Sequence, residues 1–148
     1  MDERHEPIKE SCFRHSFFYG GPVLAYAALI FFLSSLSSFP DAVPSFFGFD
    51  KIAHFVEYYF LGCLLYRWFS STDRYRKRRR ALLMTILIGT CYALSDEWHQ
   101  SFVPGREASP WDALFDAVGV GMGAATYPLI LRGILSARER LVKGGLLE

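Results

Sequence analysis

The chain has few cysteines, and they form no metal-binding or disulfide pattern. Cys12, Cys63 and Cys91 are its three cysteines, and no two of them lie at the spacing of a zinc site. Two of them lie within long apolar stretches, where a cysteine commonly packs as a small apolar side chain. The sequence therefore predicts neither a disulfide framework nor a cysteine-based zinc site.

The chain also lacks an excess of charge of either sign. Its 16 Lys and Arg residues nearly balance 15 Asp and Glu residues, which gives a formal net charge of +1 at pH 7. A basic cluster occurs at positions 74–80, but no nucleic-acid recognition module accompanies it. Nucleic-acid binding is therefore not expected, and the cluster is interpreted as a signal for membrane topology and lipid headgroups.

Asp, Glu, Lys, Arg and His are absent from Ser16 to Pro40, a stretch longer than the roughly 20 apolar residues that a membrane-spanning helix needs. It is also too long for the apolar region of a usual signal peptide. We expect a first transmembrane helix at about 16–39, and three further apolar segments predict helices at about 52–69, 81–100 and 112–132. The predicted fold is an all-α, four-helix transmembrane bundle that forms a single membrane domain over residues 1–148.

The positions of the basic residues predict the orientation of this bundle. Of the 16 Lys and Arg residues, only Lys51 and Arg106 fall on one side of the four predicted helices, which leaves fourteen on the other side. Cytoplasmic loops are enriched in Lys and Arg. We therefore expect both termini in the cytoplasm, in a multi-pass protein integral to the cytoplasmic (inner) membrane.

Ionisable residues collect in two otherwise apolar stretches, DKIAHFVEYY (Asp50 to Tyr59) and ALSDEWHQSFVPGREASPWDALFDAVGVGMG (Ala93 to Gly123). In the predicted topology both stretches lie at the outer ends of their helices. Because ionisable side chains are costly in hydrocarbon, they are expected to face one another rather than lipid. The sequence thus predicts an outward-opening polar pocket with Glu57 and Asp116 at its floor.

Acid–base chemistry is the first interpretation of this pocket. The candidate catalytic residues carry carboxylate or imidazole groups: His54, Glu57, Asp96, His99 and Asp116. The candidate substrate-binding residues are Lys51, Gln100, Arg106 and Asp112, of which Lys51 and Arg106 are suited to a phosphate or carboxylate. A divalent metal held by His54, His99 and one aspartate is an alternative, but no HExxH or comparable pattern supports it, so no metal ligand is predicted.

The same charges have a structural interpretation, in which they pair with one another and fix the helices without binding a substrate. On a helix, Glu97 is offset by about 100° from Asp96 and is expected to point elsewhere. Asp112 is a candidate cap for the fourth helix. Gly119 and Gly123 have the spacing of a close helix–helix contact.

These residues resemble the VanZ-like membrane proteins. The resemblance is carried by DKIAHFVEYYFLG (Asp50 to Gly62) and SDEWHQSFVPGREASPWDALFDAVGVGMG (Ser95 to Gly123). There the family shows a similar Lys, His and Glu pattern, then Asp-Glu, His-Gln, Gly-Arg and two Asp four residues apart. The resemblance implies a small integral membrane protein of the bacterial envelope, whose namesake is linked to resistance to the glycopeptide antibiotic teicoplanin. It implies no catalytic residue, and the cofactor is unknown.

Two classes of function follow from the sequence. The first is an envelope protein that binds or modifies a membrane lipid or a lipid-linked cell-wall precursor. The second is a non-catalytic membrane scaffold or small transporter subunit, in which the charged cluster is a structural ion network. The sequence does not decide between an enzyme and a binding protein.

Overall fold

A computed structural model of the chain describes residues 14–37, 49–72, 78–106 and 108–144. Within these ranges all regular structure is helical, and no strand occurs. A π-helical turn, Ser16–Gly20, leads into α1, Gly21–Ser34, which is followed by α2 (Phe49–Ser71), α3 (Arg78–Gln100) and α4 (Pro110–Lys143). The prediction of an all-α chain with four helices is confirmed for the described residues.

The ends of the first and last helices differ from the predicted bounds. The first helix ends at Ser34 rather than at 39, and the hydroxyl of Ser35 donates to the carbonyl oxygen of Phe31 at 2.7 Å. Positions 38–39 of the prediction lie outside the described residues. The fourth helix was predicted to end at 132 but continues to Lys143, because the segment after the apolar stretch consists largely of good helix formers. Hydropathy therefore indicated the apolar part of this helix and not its full length.

The most extensive helix contact joins α2 and α4, and it depends on two glycines of α4. A Cβ at Gly119 would lie 3.1 Å from the backbone nitrogen of Tyr59, and one at Gly123 would lie 2.9 Å from that of Cys63. Side chains larger than hydrogen would thus force the two backbones apart. The close contact predicted from the spacing of Gly119 and Gly123 is confirmed.

The apolar core lies between the four helices, and α3 packs against both α2 and α4. Its members come from every helix: Val23, Ile30, Tyr58, Leu61, Leu65, Ala93 and Val120. Val120 is fully buried and sits against Gly89 of α3, where a Cβ would lie 2.8 Å from one of its methyl carbons. The core thereby fixes the lateral position of the three longest helices.

Two of the described helices, Ser16–Ser34 and Pro110–Lys143, are long and apolar enough to cross a membrane, by length and composition. Large apolar side chains are exposed on all four helices, for example Phe32, Phe60, Leu87 and Leu129. Soluble monomers rarely expose contiguous apolar patches of large size, so such a surface indicates contact with lipid or protein. The helix α1 contains no Asp, Glu, Lys, Arg or His, whereas α2, α3 and α4 contain five, six and seven of these residues.

Candidate functional site

Four helix ends meet at one end of the bundle and bring most of its buried polar side chains together. These ends are the C-termini of α1 and α3 and the N-termini of α2 and α4. The buried residues at this end, with their exposed fractions, are Ser34 (4%), Asp96 (4%), Glu97 (7%), Gln100 (4%), Asp112 (6%) and Asp116 (0%). Aspartate and glutamate are almost never fully buried unless they are paired. We call this set, with His54, Glu57 and Tyr58 of α2, the carboxylate cluster.

Two polar pairs cross the contact between α2 and α4. The Nζ atom of Lys51 lies 2.9 Å from Oδ1 of Asp112, and Nδ1 of His54 lies 3.2 Å from Oδ1 of Asp116. Residues three or four apart share one face of a helix, so the two partners on each helix project toward the other helix. The pair of Lys51 and Asp112 is partly exposed, with 31% of the Lys51 side chain accessible. The pair of His54 and Asp116 lies deeper, and the Asp116 side chain is fully buried.

A second network joins α1 to α3 around Asp96. Its Oδ2 atom accepts a hydrogen bond from the hydroxyl of Ser34 at 2.8 Å and another from the side-chain amide of Gln100 at 3.0 Å. Gln100 lies one helical turn after Asp96, which places its amide beside the carboxylate. Gln100, a predicted substrate-binding residue, is thus bound to Asp96 in this structure.

Glu97 lies in the cluster, so the expectation that it points elsewhere is wrong. The residue is 7% exposed, and its Oε2 atom accepts a hydrogen bond from the backbone nitrogen of Ser109 at 2.8 Å. The reason lies in the connection from α3 to α4, which folds back through Gly105 at a φ of 83°. The loop therefore delivers a backbone donor to the face of α3 on which Glu97 lies.

The cap of α4 also differs from the expectation. Ser109 is the N-cap residue, and its hydroxyl accepts a hydrogen bond from the backbone nitrogen of Trp111 at 3.3 Å. Asp112 lies in the first turn instead, where a carboxylate is favoured by the helix dipole, and it binds Lys51.

Arg106 and His99 contact α1. The guanidinium group of Arg106 donates to the carbonyl oxygens of Leu36 at 3.1 Å and Leu33 at 2.9 Å, at the end of α1 where a cation is favoured by the helix dipole. The Nε2 atom of His99 lies 3.0 Å from the hydroxyl of Ser35, and its ring stacks on Phe31. Both residues were predicted to serve the site directly, and both hold the end of α1 in this structure.

Four buried side-chain atoms in the described part of the chain have no hydrogen-bond partner. They are the hydroxyl of Tyr58, Oδ1 of Asp96, Oε1 of Glu97 and Oδ2 of Asp116. The great majority of buried polar atoms in proteins are satisfied, and each unsatisfied group costs about 1 to 3 kcal/mol. All four belong to the carboxylate cluster. This end of the bundle therefore presents unused hydrogen-bonding capacity inside the protein.

The balance of charge in the cluster is negative. Its five carboxylates belong to Glu57, Asp96, Glu97, Asp112 and Asp116. The lysine and arginine nearby already contact Asp112 and the end of α1. Glu57 is half-buried and lies within electrostatic range of Asp96 and Asp116 and of the cationic groups His54 and Arg106. Such an arrangement suits uptake of a cation or transfer of a proton.

Sequence reasoning missed three members of this cluster. Tyr58 lies in an aromatic run that was interpreted as apolar, Ser34 lies in a helix without a recognised motif, and Glu97 was assigned to another face. The signal for Tyr58 and Glu97 was their position directly beside predicted site residues. The signal for Ser34 was weaker, since it lies in a serine-rich end of an otherwise apolar segment.

Comparison with known proteins gives one family. The family model VanZ/LLP1 matches residues 7–132, which covers all residues of the carboxylate cluster. The comparisons with curated proteins and with solved structures give no match. The match and the two long apolar helices together indicate a membrane protein. Because the match extends over well more than half of its 148 residues, this chain belongs to the VanZ/LLP1 family.

Proposed function

We propose that the chain is a four-span protein of the cytoplasmic membrane, with both termini in the cytoplasm and the carboxylate cluster in the outer half of the bundle. The distribution of Lys and Arg supports this orientation. The exposed apolar side chains of α2 and α3, among them Val56, Phe60, Leu83 and Leu87, support spans by these two helices as well.

We further propose that the protein contributes to teicoplanin resistance by binding or modifying a lipid or lipid-linked cell-wall component at this cluster. The observation that carries the proposal is Asp116, which is fully buried and leaves Oδ2 without a partner. A buried carboxylate with an unpartnered oxygen lowers the stability of the folded protein, and such destabilising groups are typical of functional sites. Its neighbour His54 can share a proton with it across 3.2 Å, which is the geometry that proton transfer requires.

Expression in a teicoplanin-susceptible host tests this function. The intact protein is expected to raise the inhibitory concentration of teicoplanin, whereas Asp116→Asn and Glu57→Gln are expected to remove the effect at equal abundance in the membrane. Glu139→Gln, an exposed carboxylate on the distal part of α4, is the matched control and is expected to protect fully. No change in susceptibility with the intact protein would refute the proposed role.

A structural ion network is the second candidate, and specific contacts favour it. Lys51 binds Asp112 across α2 and α4, Arg106 binds carbonyl groups of α1, and Glu97 accepts a backbone donor from the loop before α4. These contacts tie all four helices together at one end. In this alternative the protein is a non-catalytic scaffold or transporter subunit, and neutralising Asp116 lowers membrane abundance along with any phenotype.

A further inference from the structure

We propose that His54, Glu97 and Asp116 form a binding site for one divalent metal ion of the zinc or manganese type. Each residue comes from a different helix, α2, α3 and α4 respectively. One ligand atom from each residue can be chosen such that all three lie within 4.8 Å of one another. The ligand set differs from the sequence alternative of His54, His99 and an aspartate, because His99 lies against Phe31 and Ser35.

The spacing of the ligand atoms is close to that of a metal site. Zinc binds imidazole nitrogen and carboxylate oxygen at about 2.0 to 2.2 Å, so two ligands of one ion lie about 3 to 4 Å apart. The distances in the cluster are no longer than 4.8 Å, so they exceed the spacing of bound ligands by less than about 2 Å. Binding an ion would require the ligand side chains to move closer together.

The unpartnered oxygens are an independent indication of a ligand. Asp116 is fully buried and Glu97 is 7% exposed, yet Oδ2 of Asp116 and Oε1 of Glu97 have no hydrogen-bond partner in the described structure. Each of these residues uses its other oxygen, toward His54 and toward the backbone of Ser109. A bound cation would satisfy the remaining oxygens and offset the negative charge of the cluster.

The surroundings also have the features of a metal site. Ligating carboxylates are commonly fixed by further hydrogen bonds, as Glu97 is fixed by the backbone nitrogen of Ser109. One imidazole and two carboxylates suit zinc or manganese, whereas calcium prefers six to eight oxygen ligands. Because the ligating groups must be deprotonated, affinity would fall as the medium becomes more acidic.

This inference concerns the site of the proposed function and rests on its being a functional site, but the two can fail separately. Metal binding is measured on purified protein, and resistance is measured in cells. A protein that binds metal without conferring resistance would refute the resistance role alone. A protein that confers resistance without binding metal would refute the metal site alone.

The test uses the full chain purified in detergent, stripped with a chelator and dialysed against ZnCl2 or MnCl2 in separate arms. Elemental analysis is expected to find one ion per chain in at least one arm, with a higher melting temperature than that of the stripped protein. His54→Gln and Asp116→Asn are expected to weaken binding by about tenfold or more. His15→Gln and Glu139→Gln, whose positions lie away from the cluster, are the matched controls and are expected to bind normally.

Three results would overturn the site. The first is a folded wild-type protein that retains no stoichiometric ion in either arm. The second is binding that His54→Gln and Asp116→Asn leave unchanged. The third, which needs no variant, is a wild-type protein whose melting temperature is the same with and without ZnCl2 and MnCl2. In each case the unpartnered oxygens would be attributed to hydration.

Discussion

Replacement of Gly123 by alanine tests the packing that positions the whole site. A Cβ at this position would lie 2.9 Å from the backbone nitrogen of Cys63 and closer still to the carbonyl oxygen of Tyr59. Ordinary carbon contacts need about 3.5 Å or more, and backbone atoms cannot move aside as a flexible side chain can. Alanine at position 123 must therefore push α4 away from α2.

The magnitude follows from two opposing effects. Overpacking of a close contact typically costs about 1 to 3 kcal/mol. Alanine is also a better helix former than glycine by about 1 kcal/mol, which acts in the stabilising direction. Gly121 isolates the second effect, because a Cβ there meets nothing within 4 Å. Gly121→Ala is expected to be neutral or stabilising, and Gly123→Ala is expected to be less stable than Gly121→Ala by about 1 to 3 kcal/mol.

The assay is a denaturant titration of both purified variants in the same detergent, followed by helical circular dichroism. The displacement would also lengthen the contacts of His54 with Asp116 and of Lys51 with Asp112, which cross the same helix pair. Equal stability of Gly123→Ala and Gly121→Ala would refute the close approach of α2 and α4. The positions of His54 and Asp116 would then need another explanation.

Two further predictions address the loop between α3 and α4 and the orientation in the membrane. Arg106→Lys is expected to lower the melting temperature and to cost about 1 to 2 kcal/mol of stability, because an ammonium group cannot reproduce the paired donation to Leu33 and Leu36. Reduced teicoplanin protection at unchanged stability would instead indicate that Arg106 contacts a ligand. In a variant without the three native cysteines, Ala108→Cys is expected to react in intact cells with an impermeant thiol reagent, whereas Ser136→Cys is expected not to react. The opposite labelling pattern would overturn the proposed orientation.

Much of the fold was predictable because its signals are local in the sequence. The apolar runs predicted the existence and order of four helices, and the spacing of Gly119 and Gly123 predicted a close helix contact, whose partner the structure identifies as α2. The end of α4 was not predictable from hydropathy, because the helix continues beyond the apolar segment to Lys143. Hydropathy indicates which residues suit a membrane, whereas a helix can continue through polar residues beyond it.

The candidate site was predictable in its members more than in its contacts. The two charged stretches were predicted to converge at one end of the bundle, and in the structure His54 of the first lies beside Asp116 of the second. The partners of Arg106 and Glu97 could not be predicted, because they depend on the path of the loop between α3 and α4 and on the end of α1. Every helix has unpaired backbone N–H and C=O groups at its ends. The sequence pattern therefore does not identify which side chain will bind a particular one.

Measurement of the melting temperature of metal-free Asp116→Asn against the metal-free wild type tests the central claim most directly. Asparagine retains an oxygen that can accept from His54 and removes the charge of a fully buried carboxylate whose second oxygen has no partner. If the cluster is held for function at a cost in stability, the variant is expected to melt at the same temperature as the wild type or higher, while losing protection against teicoplanin. A lower melting temperature with reduced membrane abundance would contradict that claim and identify Asp116 as part of a structural ion network.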